Sequence, residues 1–160
     1  MVDEREGDLL ASGAEALVNA VNCAGVMGKG IALEFKQRFP ANFAAYRAAC
    51  ASGEVRVGRM FVCEDDGRVI VNFPTKKHWR SRSRLEDVAA GLDDLVWVVR
   101  SRGLASVAVP ALGVGNGGLE WADVAPLVHE RLGGLSGVAI ELYRPQVHTM
   151  GGSPNSGVAG

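Results

Sequence analysis

Two glycine-rich turns constrain this chain more than anything else in it. Ala16-Leu17-Val18-Asn19-Ala20-Val21 is a short apolar run suited to a buried strand, and it feeds Gly25-Val26-Met27-Gly28-Lys29-Gly30. Apolar residues at helical spacing follow from Ile31 to Phe39, stopped by Pro40. Ala105-Ser106-Val107-Ala108-Val109-Pro110 repeats the plan, running into Gly113-Val114-Gly115-Asn116-Gly117-Gly118 and then a helix from Trp121 to Leu132. Open α/β sheets bind ligands outside the carboxyl ends of their strands. Glycines there let backbone N–H groups approach an anion, and the helix N-terminus adds partial positive charge. Two such turns can cradle a diphosphate from both sides, so a ligand with a pyrophosphate is the inference.

Other readings of the turns are weaker. Gly28-Lys29-Gly30 lacks the Gly-Lys-Ser/Thr ending of a Walker A motif, which disfavours an NTPase. Gly113, Gly115 and Gly118 match G-x-G-x-x-G, but too little chain follows for the second half of a dinucleotide fold. Plain tight turns explain one such loop readily and two at equivalent positions less well.

The remaining pattern gives the architecture. A second helix is expected from Asn42 to Ala51, closed by Gly53. Met60-Phe61-Val62 and Val69-Ile70-Val71-Asn72-Phe73 flank Asp65-Asp66-Gly67, a hairpin signal. Leu85 to Arg102 places Leu85, Val88, Ala89, Leu92, Leu95, Val96 and Val99 on one helical face, capped by Gly103, with Trp97 and Trp121 expected as core or staple residues. The last strand is expected over Val138 to Tyr143. Strands alternate with helices around one hairpin, which predicts an α/β fold with a mixed sheet between helical layers. The polar run Val2 to Glu6 suggests an edge strand or a truncated start. Residues 1–145 form the expected domain, and 146–160, rich in Gly, Ser, Pro and Asn, read as a flexible tail or a linker to a further C-terminal domain.

Composition narrows the function. A 160-residue chain with 48% hydrophobic and 22% charged residues is ordinary globular material, and a net charge of -1 exerts no global pull on nucleic acid or membrane. No apolar run reaches the ~20 residues of a membrane span, and Met1 to Glu6 is acidic where a signal peptide is basic. Cys23, Cys50 and Cys63 show no C-x-x-C spacing, which fits reduced cytoplasmic thiols. His78, His129 and His148 are scattered, so no metal ligand set is expected, and a monomer is the default.

Gly7-Asp8-Leu9-Leu10, Ala16-Leu17-Val18-Asn19-Ala20-Val21-Asn22-Cys23 and the Gly25 to Gly30 turn together resemble the opening of a macrodomain, and Val109 to Leu119 resembles that family's second phosphate loop. More narrowly, Val26 to Ala32 and Asn72-Phe73-Pro74-Thr75-Lys76-Lys77-His78-Trp79-Arg80 are similar to the DarG-type branch, antitoxins that remove ADP-ribose from DNA and oppose a DNA ADP-ribosyltransferase toxin. The resemblance implies a three-layer α/β/α fold with a mixed, mostly parallel central sheet and no cofactor. It implies ADP-ribose binding by Asp8, Leu9 and Asn19, by Gly28, Lys29, Gly30 and Ile31, by Thr75, and by Leu112, Gly113, Val114, Gly115, Asn116 and Gly117. Lys76 falls where this branch carries its catalytic lysine, and Asn22 is expected to meet the distal ribose and orient its hydroxyls for catalysis. The animal relative on this branch has an acidic residue where this chain has Asn116, so a mechanism that needs that carboxylate is in doubt here.

Cleaving an N-glycosidic bond means capturing or stabilising an electrophilic anomeric carbon. A lysine attacks it, or forms a Schiff base with the opened sugar, only as the neutral amine, and a free lysine has a pKa of about 10.4. Lys77, Arg80, Arg82 and Arg84 are expected to depress the Lys76 pKa, as is burial, while a bound diphosphate opposes them. Lys77, His78, Trp79, Arg80, Arg82 and Arg84 are also the expected DNA contacts, cations on phosphates and Trp79 stacked on an unpaired base. A solvated basic loop is the plain alternative. The expected substrate is ADP-ribosylated single-stranded DNA, with a cognate transferase toxin as partner of a further domain. The competing functions are a non-catalytic ADP-ribose reader and a hydrolase of protein-linked ADP-ribose.

Overall fold

The computed structural model describes residues 1–146; the expected tail lies, from 147 onward, outside the described residues. Six strands, β1 (Val2–Arg5), β2 (Ala16–Asn22), β3 (Phe61–Asp65), β4 (Arg68–Lys76), β5 (Ser106–Val109) and β6 (Ala139–Tyr143), form one sheet in the order β1-β6-β5-β2-β4-β3. Four of the five pairings are parallel and β3–β4 is antiparallel, so the sheet is mixed and mostly parallel as expected. The hairpin turns at Asp66 and Gly67, both with positive φ (53° and 72°), the backbone twist that a two-residue hairpin favours.

Helices α1 (Gly30–Arg38), α2 (Pro40–Ala51), α3 (Leu85–Arg102) and α4 (Trp121–Leu132) cover the sheet. Strand alternation decides which face each helix receives. Ala16, Val18, Val71, Phe73, Val107 and Ile140 point to α3 and α4, meeting Leu92, Leu95, Val124 and Val128. Leu17, Ile70 and Ala108 point the other way, to Phe35 and Phe39, and Val21 meets Tyr46 of α2. The result is three layers, with α3 seated closely enough that a Cβ on Gly91 would stand 2.4 Å from the Phe73 ring. No helix among the described residues is long and apolar enough to cross a membrane.

Two local outcomes differ from the sequence reading, and a third agrees with it. Pro40 does not merely stop α1; it begins α2 at a first-turn position where its missing N–H costs nothing. Trp97 is 66% exposed, because its turn of α3 faces solvent, so it is not a core residue. The polar first strand does lie at the sheet edge, paired in parallel with β6.

Three asparagines are buried together between β2, β4 and α2: Asn19, Asn42 and Asn72. Asn72 Nδ2 donates to Asn42 Oδ1 (2.8 Å) and to the Phe61 carbonyl (3.0 Å). Asn42 Nδ2 and Asn19 Nδ2 both donate to Asn72 Oδ1, at 3.2 and 3.3 Å. Asn19 Nδ2 also approaches Met27 Sδ at 3.8 Å, linking this cluster to the first glycine turn.

Candidate active site

Because β1, β6, β5, β2 and β4 run in one direction, their carboxyl ends open at one edge of the sheet. A cavity of about 640 Å³ sits there, between the two glycine turns. Its size is that of sites holding drug-sized or nucleotide ligands.

The first turn is held from within. Asn22, at the end of β2, donates from Nδ2 to the Val26 carbonyl (2.8 Å), and its Oδ1 accepts from the amides of Ala24 (2.9 Å) and Val26 (3.4 Å). The Tyr46 hydroxyl lies 2.9 Å from Asn22 Oδ1 and 2.8 Å from the Asn22 carbonyl, sharing one proton between them. Met27, fully buried, anchors the turn against Val21 and Tyr46. The turn then delivers α1 to the cavity with no side-chain cap at Lys29 and no acidic residue in its first turn, so the leading amides and the positive end of the helix face the ligand.

The second turn is held from outside. Three successive carbonyls accept from the end of β4 and the segment after it: Asn116 from Lys76 Nζ (3.4 Å), Gly117 from the Ser83 amide (2.8 Å) and Gly118 from Arg82 Nη2 (3.3 Å). Gly117 is required by this clamp, since a Cβ there would fall 2.5 Å from Ser83 Oγ.

Lys76 is the last residue of β4 and not part of the loop, because β4 continues through Pro74 alongside β2, whose register shifts between Val21 and Asn22. Its amine is held below the ordinary lysine value of 10.5, first by burial and then by the charge of Lys29. The depressing cation therefore comes from the first glycine turn rather than from the arginines after Lys76. Asp8 and Glu34 are the carboxylates on the cavity wall; Asp8 Oδ1 caps the 3-10 turn Leu9–Ala11 by accepting from the Leu10 amide (3.0 Å).

Of the residues expected at the ligand, Asp8, Leu9, Asn22, Gly28, Lys29, Gly30, Ile31, Thr75, Lys76, Gly113, Val114, Gly115, Asn116 and Gly117 do line the cavity. Asn19 and Leu112 do not. Asn19 points down from β2 into the asparagine cluster, and Leu112 is buried in the core beneath the second turn. Asn22 reaches the cavity, but its polar atoms are engaged in shaping the first turn.

The basic segment divides in the same way. Trp79 is 40% exposed and lines the cavity, with His78 stacked on it (5.2 Å between centroids) and the Arg80 guanidinium 4.5 Å from its ring. Arg82 is spent on Gly118, and Arg84 pairs with Glu86 at 2.6 Å. Lys77 and Arg80 take part in no ion pair among the described residues.

Sequence reasoning missed Tyr143 and Arg144, which wall the far end of the cavity. Arg144 is fixed there by Glu4 (3.0 Å) and Glu6 (3.1 Å). The hydrogen bond with His129 and then that with Arg144 hold the Glu4 carboxyl below its usual range. The available signal was topological: a last strand parallel to its neighbours ends at the same edge as the glycine turns.

The family model for the Macro domain matches residues 18–128. The chain belongs to the macro domain family. Over 91% of its length this macro domain is 53% identical to a DNA ADP-ribosyl glycohydrolase of Mycobacterium tuberculosis, covering 42% of that protein. It superposes on the macrodomain of Mycobacterium tuberculosis DarG with a TM-score of 0.89 at 52% identity, covering 91% of this chain and 99% of that one. It is also 35% identical, over 88% of its length and 41% of the relative, to a DNA ADP-ribosyl transferase–DNA ADP-ribosyl glycohydrolase fusion protein of Thermosipho africanus. The structure of Thermosipho africanus DarTG in complex with ADP-ribose matches with a TM-score of 0.84 at 33% identity, over 93% of this chain and 43% of that one. The macro domain thus spans about two fifths of the length of the curated relatives it matches.

Proposed function

We propose that this macro domain is a hydrolase that removes ADP-ribose from a base of single-stranded DNA, thymine first among candidates, and so acts as an antitoxin in the cytoplasm. The observation that carries the reading is Lys76, an amine with a lowered pKa at the rim between two amide-lined turns, beside an exposed aromatic–basic segment. The turns take the diphosphate, Asp8 and the Arg144 wall take the adenosine end, and the distal ribose is left facing Lys76. Relatives named for this activity share half of the sequence.

In the proposed step the neutral Lys76 amine gives its lone pair to C1 of the distal ribose. The bond from C1 to the base nitrogen breaks, its electron pair leaves with the base, and the base takes a proton from solvent. Water then attacks the same carbon, releasing ADP-ribose and returning Lys76 as an ammonium, which loses its extra proton to solvent. Asn22 acts as a positioning residue, through the turn it ties. The fusion of transferase and glycohydrolase in the Thermosipho africanus relative supports a cognate DNA ADP-ribosyl transferase as partner.

The test is incubation of wild type and Lys76→Ala with a single-stranded oligonucleotide carrying ADP-ribosylated thymine. Release by wild type and not by the variant is expected. Tight ADP-ribose binding without release by wild type would overturn the hydrolase reading in favour of a reader module.

A further inference from the structure

A second concave surface lies behind the first glycine turn. It is a groove of about 540 Å³ between that turn and α2, and it shares Val26 and Gly28 with the main cavity as a common wall. In a chain with 18 acidic and 17 basic side chains, the charged residues lining this groove are Lys36 and Arg47, with no carboxylate. Both are exposed, and among the described residues neither takes part in an ion pair, whereas Arg5, Arg84, Arg131 and Arg144 do.

These cations are placed rather than scattered. The stem of Arg47 packs beside Gly25, where an added Cβ would stand in ordinary contact with Arg47 Cγ at 3.6 Å. Lys36 Nζ stands 4.9 Å from the centre of the Phe43 ring, and that half-buried ring is itself part of the groove. At the head of the groove the Cys23 amide donates to the Lys77 carbonyl (3.0 Å), which brings the exposed Lys77 to the point where groove and basic segment meet. Cations along a furrow with one aromatic face form the combination that tracks a single-stranded nucleic acid, phosphates on the charges and a base on the ring.

We propose that this groove carries the sugar–phosphate backbone of the single-stranded DNA whose modified base enters the cavity, with Lys36 and Arg47 on its phosphates. The proposal rests on the DNA reading of the active site and moves the strand's path to the back of the first glycine turn. Arg82 and Arg84, which the sequence suggested for this task, already have surface partners in Gly118 and Glu86. Steering of this kind is local, so a net charge of -1 does not oppose it.

The experiment compares wild type, Lys36→Gln/Arg47→Gln, and a charge-matched control, Arg100→Gln/Arg102→Gln, at the far end of α3. Fluorescence anisotropy reads binding to a 12-nucleotide single strand, with and without ADP-ribose on its thymine, across a salt series. Calorimetry reads free ADP-ribose. The groove variant should lose about tenfold in affinity for both strands at low salt, and its slope of log K against log salt should shrink by about 1.4, roughly 0.7 for each phosphate contact removed. An unchanged slope, or an equal loss in the control, would overturn the groove as a strand path. An equal loss of free ADP-ribose affinity would overturn it too, by showing that the substitutions act through the glycine turn. Failure of wild type to release ADP-ribose counts against the hydrolase reading instead, and the salt slope on the unmodified strand still decides the groove.

Discussion

The two glycine turns look alike in sequence and are built on different supports. The first is tied by its own strand: Asn22 bonds three groups within five residues of itself, with Tyr46 and Met27 beneath. The second is gripped by a segment more than thirty residues earlier in the chain, through Lys76, Arg82 and Ser83 on three consecutive carbonyls. One turn is therefore shaped by the core and the other by the end of β4 and the basic segment after it. A shift of that segment moves the second turn directly, while the first turn keeps its own ties.

This contrast can be broken at several points. The largest effect is expected from Lys76→Ala, which removes the amine between the turns. Turnover of ADP-ribosylated oligonucleotide should fall by at least about a thousandfold, while calorimetric affinity for ADP-ribose stays within severalfold. Gly117→Ala should come next. Its Cβ collides with Ser83 Oγ, the clamp must shift, and ADP-ribose affinity should weaken about tenfold. Its melting temperature should move little, because the second turn lies outside the core; a drop as large as that of a core variant would show the two supports to be alike. Asn22→Ala should do the reverse, costing about 1–3 kcal/mol in denaturant unfolding because the part-buried groups of the turn lose the side chain that ties them, with a smaller loss of ligand affinity.

The smallest effect is in the pH profile. Neutral amine is the reactive form, so the rate should rise with pH until Lys76 is deprotonated, and fall away as pH drops through its folded pKa. Because that value is lowered, the rising limb should sit below the ordinary lysine range. Lys29→Ala removes the second of the two causes, so the limb should move upward while burial keeps it short of the free value. A limb that does not move would show that the turns are electrostatically independent.

Much of this fold was legible because its signals were local. Helices α3 and α4 begin and end where periodicity and Gly103 place them, and the Asp66-Gly67 turn fixes the hairpin. The extension of β4 to Lys76 was not legible, since a proline within a strand usually marks its end, and here the parallel partner β2 carries it on. Asn19 and Leu112 entered the expected site by adjacency to a motif, but which way a side chain leaves a strand or turn depends on the layers around it. Lys36 and Arg47 lie on short amphipathic helices where exposed charge is ordinary, so only the groove between α2 and the turn distinguishes them.

The asparagine cluster under the cavity bears on how the molecule comes together. Its members arrive from positions 19, 42 and 72, and the short bonds between Asn42 and Asn72 exist only when α2 is docked on the finished hairpin. A sheet assembled one residue out of step would strand buried amides against hydrocarbon, at about 1–3 kcal/mol each. The buried cluster between β2, β4 and α2 thus rejects near-miss assemblies of the chain before any ligand is present to do so.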